Sequence, residues 1–350
     1  LCRKITPDKT WVTPLKGEDP IRLNAPLDRS AIALLLAAFL DYLVGDPWGW
    51  PHPVQLMGWV ISRYSQWVFQ YCSNPRILRL AGMVLGTGLI AGSGLISWLF
   101  IQVADRWHPV LSLTIETLLL ASCFAGRSLR QAAIDVLKPL TAGELEMARQ
   151  KLSLYVGRDT EKLSPSEIFR ALLETVSENT VDGVTAPLFF AIAGALIPGV
   201  GPLPLAIAYK AASTLDSMVG YREPPFTDIG WFSAKLEDAL TWLPCRLTVL
   251  TLALISGKPR QVWQICQRDA PQDPSPNSGW SESAYAAILG VQLGGTNTYR
   301  GKIKTKPLLG DPINPITPET LNRAFTLTRH CFLLWLAAFL VLKGVLSVKC

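Results

Sequence analysis

Residues 77–103 place the strongest constraint on what this chain can fold into. The stretch is apolar and long enough to cross the roughly 30 Å hydrocarbon core of a bilayer as one helix, so the fold must give it to lipid or enclose it completely. Its glycines at 82 and 86, then at 88 and 92, offer two overlapping small-xxx-small faces for close helix packing. Apolar runs recur at 110–125, 186–208, 239–257 and 330–348, and a shorter one at 30–45. With 17% charged residues and a mean hydropathy of +0.26, the pattern predicts an all-α, polytopic integral membrane protein in the cell membrane.

The apolar runs are not uniform. Residues 186–208 are interrupted by Pro198-Gly199-Val200-Gly201-Pro202-Leu203-Pro204, which a continuous helix does not accommodate. Two half-helices in a re-entrant hairpin are expected instead, covered by protein or lining a cavity. Residues 239–257, interrupted by Pro244 and Arg246, are read the same way. The 30–45 run is slightly short and carries Asp41, and Glu116 inside 110–125 must snorkel, pair or function. Trp48, Trp50 and Trp59 suit the lipid–water interface, and Pro51-His52-Pro53 is a rigid break. Residues 1–29 lack the features of a secretory signal and are expected to be a weakly ordered extension to one membrane domain, residues 30–350.

Between the apolar runs lies a polar helical region, residues 127–183. Thr141 to Glu144 resembles a capping box, residues 155–160 read as a loop, and Ser164-Pro165-Ser166-Glu167 opens another helix. If that helix continues to Gly183, Glu174, Glu178 and Asp182 stack on one face with Asn179 beside them. Like charges at this spacing repel unless something positive meets them. In a soluble protein the stripe would be a solvated face. Here it runs directly into an apolar segment, where an unpaired acid is costly, so a cation site is the sharper expectation. A second polar constellation has Lys210, Ser213, Thr214 and Ser217 on one helical face with Asp216 alongside, and a third begins at Asn277. Treating both interrupted runs as re-entrant keeps these constellations on one side, the cytoplasmic side by the distribution of Arg and Lys, with an external C-terminus.

Several function classes are excluded. The net charge of +6 is modest and no basic stretch is interleaved with aromatics, so nucleic acid is not an expected partner. Neither a phosphate-binding P-loop nor a dinucleotide fingerprint is present. The three histidines lie far apart, and the seven cysteines show no Cys-x-x-Cys spacing, so neither a zinc site nor a disulfide framework is predicted. What remains is oxygen ligands (Glu174, Glu178, Asn179, Asp182, Asp216) and fixed cations (Arg127, Arg130, Arg158, Lys210, Arg222, Lys235). Mg²⁺ takes a few carboxylates together with substrate phosphates, and arginine forks suit phosphorylated ligands. Surface ion pairs give similar inventories.

The motifs also carry a resemblance. Leu40-Asp41-Tyr42-Leu43-Val44-Gly45-Asp46-Pro47 with Pro51-His52-Pro53, Arg127-Ser128-Leu129-Arg130, Tyr155-Val156-Gly157-Arg158-Asp159-Thr160, Glu174 to Asn179 leading to Pro187-Leu188-Phe189-Phe190, Tyr209-Lys210 to Tyr221-Arg222, and Asn277-Ser278-Gly279-Trp280 to Leu293-Gly294-Gly295 resemble the CobD/CbiB family of cobalamin biosynthesis, over roughly residues 30–345. The resemblance implies a ligase, adenosylcobinamide-phosphate synthase. It would join adenosylcobyric acid to (R)-1-amino-2-propanol phosphate, or aminopropanol, with ATP and Mg²⁺. The corrinoid is then substrate rather than prosthetic group, and other cobalamin-assembly enzymes are expected partners. By residue type, with no residue role carried over from the family, Glu174, Glu178 and Asp182 are expected to hold Mg²⁺. Glu178, Asp182, Asp216 and Lys210 are the expected catalytic groups, and Arg127, Arg130, Arg158, Asn179, Arg222 and Asn277 the substrate-binding ones. The competing classes are a membrane transporter, which would show symmetry between two halves, and a non-catalytic scaffold for corrinoid intermediates.

Overall fold

The computed structural model describes residues 28–45 and 52–349, with side chains through Leu346. Residues 1–27, and the Asp46, Trp48 and Trp50 of the first motif, lie outside the described residues. Thirteen α-helices and one β-hairpin are described. Proline starts many of the helices. Pro53, Pro75, Pro109, Pro165, Pro202, Pro259 and Pro318 each stand at the first turn, where a missing N–H costs nothing.

The helices run α1 (Arg29–Leu43), α2 (Pro53–Tyr71), α3 (Pro75–Trp107), α4 (Pro109–Ala121), α5 (Gly126–Thr141) and α6 (Leu145–Leu152). His52 and His108 cap α2 and α4, each accepting through Nδ1 from the N–H two residues on, at 3.2 Å. Ser164 and Glu167 close the capping box that begins α7 (Pro165–Asn179). The other expected box does not form: Thr141 Oγ1 donates back to Leu137 and Lys138 carbonyls, because Thr141 is still the last residue of α5.

The helix of α7 stops being α-helical before Gly183. Thr180–Thr185 form a π turn that leads directly into α8 (Ala186–Leu196). Its threonines find partners across the core. Thr180 meets Thr328 at 2.9 Å and Tyr285 at 3.2 Å, and Thr185 meets Thr248 at 2.7 Å. The wider turn rotates Asp182 out of the every-fourth-residue register it would share with Glu174 and Glu178 in an α-helix.

After a turn through Gly199 and Gly201, both at positive φ, α9 (Pro202–Val219) packs back on α8. The Pro-Gly run does break 186–208 into two helices, but α8 is the end of a continuous helical segment, Pro165–Leu196, long enough to cross a membrane, rather than the half-helix expected. The second interrupted run behaves differently. Residues 239–257 fall within one helix, α10 (Trp231–Ile255), with Pro244 and Arg246 inside it. Thr248 Oγ1 donates to the Pro244 carbonyl at 2.8 Å, and neighbouring helices pack around the kinkable segment, the circumstance in which a membrane helix tolerates proline.

The chain continues through α11 (Pro259–Asp269), α12 (Ser278–Leu289), strands β1 (Leu293–Tyr299) and β2 (Lys302–Leu309), and α13 (Pro318–Lys349). The antiparallel hairpin, turned at Arg300 and Gly301 with both φ positive, is an addition to the all-α expectation. Among the described residues, five segments are long and apolar enough to cross a membrane: Pro75–Trp107, Pro109–Thr141, Pro165–Leu196, Trp231–Ile255 and Pro318–Leu346. The protein is a helical, multi-pass membrane protein.

Packing at α3 uses only part of its glycine pattern. A side chain at Gly82 would collide with the Ile229 carbonyl, and one at Gly86 would approach Phe232 to 2.7 Å, whereas Gly88 and Gly92 face open space. Glu116, buried in α4, is paired: Arg29 Nε lies 3.4 Å from it, and the same guanidinium reaches Asp105 and Ser112.

Candidate functional site

Charged side chains from several distant chain segments lie within electrostatic reach of the end of α7. Glu178 of α7 is exposed, and Asp182 in the π turn is half-buried. Glu178 lies in the electrostatic field of Lys306, Asp273, Glu174 and Arg158. Asp182 lies in that of Glu237, Glu178, Asp216 and Lys210. Among the described residues no group donates a hydrogen bond to either carboxylate, and Lys210 forms no close ion pair. Asp182 is thus within electrostatic reach of Glu178, Asp216 and Lys210, of which the sequence spacing pointed only to Glu178.

Glu174 differs. Its Oε2 is paired with the buried Arg158 and its Oε1 accepts the Gly294 N–H at 2.9 Å. Arg158 also donates to Asn297 Oδ1 at 2.9 Å, and Arg170 of α7 donates to the Gly294 and Thr296 carbonyls. Asp159 accepts from the N–H groups of Arg300 and Gly301 at 2.9 and 2.8 Å. The Tyr155–Thr160 loop and Glu174 thus fasten the β-hairpin. Gly294 and Gly295, at φ near +83° and +88°, let its backbone come against Pro307 and Arg170. The hairpin in turn delivers Lys306, whose Nζ is 3.6 Å from Glu282.

Lys306 and Glu282 of α12 are site residues that the sequence reading passed over, as are Glu237 and Asp238 of α10. Glu282 is fully buried and neither carboxylate oxygen has a hydrogen-bond partner. Burial pushes its carboxyl up to about 8; Lys306 opposes the shift while Glu178, Glu174 and Asp273 reinforce it. Burial works against the Lys306 ammonium, but Glu282, Glu178, Asp273 and Glu174 outweigh that and hold its pKa above the ordinary lysine value. The ammonium stays charged at neutral pH, held by the acidic side chains around it. In α10, Glu237 accepts from Thr241 and from Tyr209, whose ring stacks on Phe190 at 4.9 Å. The sequence signal for these acids was weak, since Glu282 stands alone in α12 and Glu237 and Asp238 form one isolated pair in α10.

The remaining expected residues are elsewhere or structurally engaged. Asn179 donates to the Thr175 carbonyl of its own helix at 2.9 Å. Asn277 is buried, donating to the Asp238 carbonyl and accepting from Arg246. Arg222 is exposed, reaches the Pro274 carbonyl at 3.3 Å and adds its charge near Asp238. Arg127 and Arg130 face a different cavity, bounded by α1, α5 and α13.

No three His, Cys, Asp or Glu side chains among the described residues converge to cage a metal. The accessible, unbonded Glu178 and Asp182 are nonetheless the donors a hard cation accepts when substrate phosphates and water complete its shell. What the arrangement offers is carboxylate oxygens and two ammonium groups within one another's electrostatic field.

The family model described as CobD/Cbib protein matches residues 34–328. The cobalamin biosynthesis protein CobD of Synechocystis sp. is 58% identical over 297 residues, covering 85% of this chain and 87% of its own. The CobD of Citrobacter koseri is 39% identical over 325 residues, covering 92% and 98%. The cobalamin biosynthesis protein CbiB of Salmonella typhi is 39% identical over 323 residues, covering 91% and 97%. No solved structure matches. With a family model spanning most of its length and relatives this similar from end to end, the chain belongs to the CobD/CbiB family of cobalamin biosynthesis proteins.

Proposed function

We propose that this protein is the ligase that joins the free carboxylate of adenosylcobyric acid to (R)-1-amino-2-propanol phosphate, or to aminopropanol, through an amide bond. Family membership supports the pathway; the convergence of Glu178, Asp182, Asp216 and Lys210 supports the chemistry, and is the observation that carries it. ATP transfers its γ-phosphoryl group to the corrinoid carboxylate, giving an acyl phosphate and ADP. The amine nitrogen then forms the C–N bond as the C–O bond to phosphate breaks, and the nitrogen loses a proton.

Glu178 and Asp182 would hold Mg²⁺, which when bound neutralises phosphate oxygens. Glu174, with both oxygens engaged, organises the hairpin instead. Lys210 and Lys306 stabilise negative charge on the transferring group, Arg222 meets the phosphate of the amine at the rim, and Asp216 takes the ammonium proton. The site faces the cytoplasm, where ATP and the corrinoid are available.

The test is direct. Membranes carrying the protein, given cobyric acid, the amine and Mg-ATP, should form a cobinamide derivative, and omission of any one component should stop it. Glu178→Gln should abolish product while the protein still folds. Full activity in that variant would remove the metal assignment, and no product with every component present would remove the ligase reading.

A further inference from the structure

The cavity holding Arg127 and Arg130 is separate from the carboxylate site and of a different character. It encloses about 630 Å³ between α1, α5 and α13. Its floor is apolar, with Leu35, Leu129, Phe325, Phe332 and Leu336 among the lining side chains. Three arginines, Arg127, Arg130 and Arg329, line it against one carboxylate, Asp41, for a formal surplus of two positive charges. The three guanidinium groups are exposed. Two of them are organised about one residue: Arg127 Nη1 donates to the Tyr42 carbonyl at 3.1 Å, and Arg329 lies over the Tyr42 ring, 5.4 Å from its centroid.

A soluble anion would need the arginines but not the apolar floor. A neutral lipid would need the floor but not the arginines. The helices bordering the cavity continue outward as apolar surface, with Leu43 of α1 and Leu334 of α13 at least half exposed beyond its lining, and α13 is one of the membrane-crossing segments. We infer that this cavity binds an anionic phospholipid, its phosphate held by Arg127, Arg130 and Arg329 and its acyl chains lying along α1 and α13. Forked guanidinium groups suit a phosphate diester, and basic pockets between membrane helices are where anionic headgroups are held. The inference is independent of the ligase reading.

Native mass spectrometry of the intact protein, released from detergent after titration with defined lipids, tests it. Phosphatidylglycerol should bind about tenfold more tightly than phosphatidylcholine of the same chains. The triple variant Arg127→Gln, Arg130→Gln, Arg329→Gln should lose that preference, while Arg63→Gln, an exposed arginine elsewhere on α2, should retain it. Glycerol 3-phosphate at millimolar concentration should not displace the lipid. Equal binding of both lipids would overturn the proposal, as would a preference surviving in a triple variant of unchanged circular dichroism. Displacement by glycerol 3-phosphate would make the cavity a soluble-anion site and overturn it equally.

Discussion

Glu282 gives the site a pH signature that one side chain can report. Its carboxyl is held up to about 8 in the folded protein against an ordinary value of 4.5. Below 4.5 both folded and unfolded chains hold the proton. Between about 4.5 and 8 the unfolded chain releases a proton that the native one keeps, so stability falls as pH rises. Glu282→Gln removes the group, and the loss of melting temperature between pH 5 and pH 8 should flatten in detergent-solubilised protein; an unchanged slope would contradict the buried, protonated state. Arg158 illustrates the opposite case. Arg158→Ala leaves Glu174 as an uncompensated buried charge, and loss of one partner of such a pair costs about 3–5 kcal/mol. The variant should show a lowered midpoint in thermal or chemical unfolding and, through the loosened hairpin, weaker ligation. Of these residues Arg158 and Glu174 stood out in the sequence by their motifs. Glu282 and Lys306 did not, because one buried acid and one strand lysine carry no local pattern until α12 and β2 meet.

At the scale of elements, the glycines of α3 separate what a pattern offers from what packing uses. Gly82→Ala forces a methyl into the Ile229 carbonyl and should destabilise the protein measurably, whereas Gly88→Ala meets nothing and exchanges glycine for a better helix former. A thermal-shift comparison should give a clear decrease for the first and no change or a small increase for the second. The sequence spacing identified both faces as equally suitable. Only the arrival of the 229–232 segment of the chain against one of them chose between the two. A related correction applies to α10, where Pro244 and Arg246 argued for a break. A proline removes one backbone donor and crowds one turn, a cost that neighbouring helices absorb.

For the whole molecule, the continuity of α10 decides topology. Its 25 residues make a helix about 38 Å long, enough to cross the bilayer. A single cysteine at Glu223 and another at Lys258, probed in intact cells with a membrane-impermeant thiol reagent in a background lacking the native cysteines, should label from opposite sides. Labelling from one side only would return the segment to a re-entrant form. Between α8 and α9, by contrast, the Pro-Gly run does make the turn the sequence requires, although α8 closes a segment, Pro165–Leu196, that is itself long enough to cross.

The sequence by itself determined the solvent and the class. Long apolar runs must leave water, Ser164-Pro165 marks the start of the helix that carries the acidic stripe, and motif order points to one family. These are local or additive properties, summed along the chain. Tertiary structure alone decided that Lys306 faces Glu282, that Asp182 turns out of line through a π segment, and that two arginines of the expected site belong to another cavity. Each depends on which distant segments meet, and the energy of a charge is set by its neighbours in space rather than in sequence.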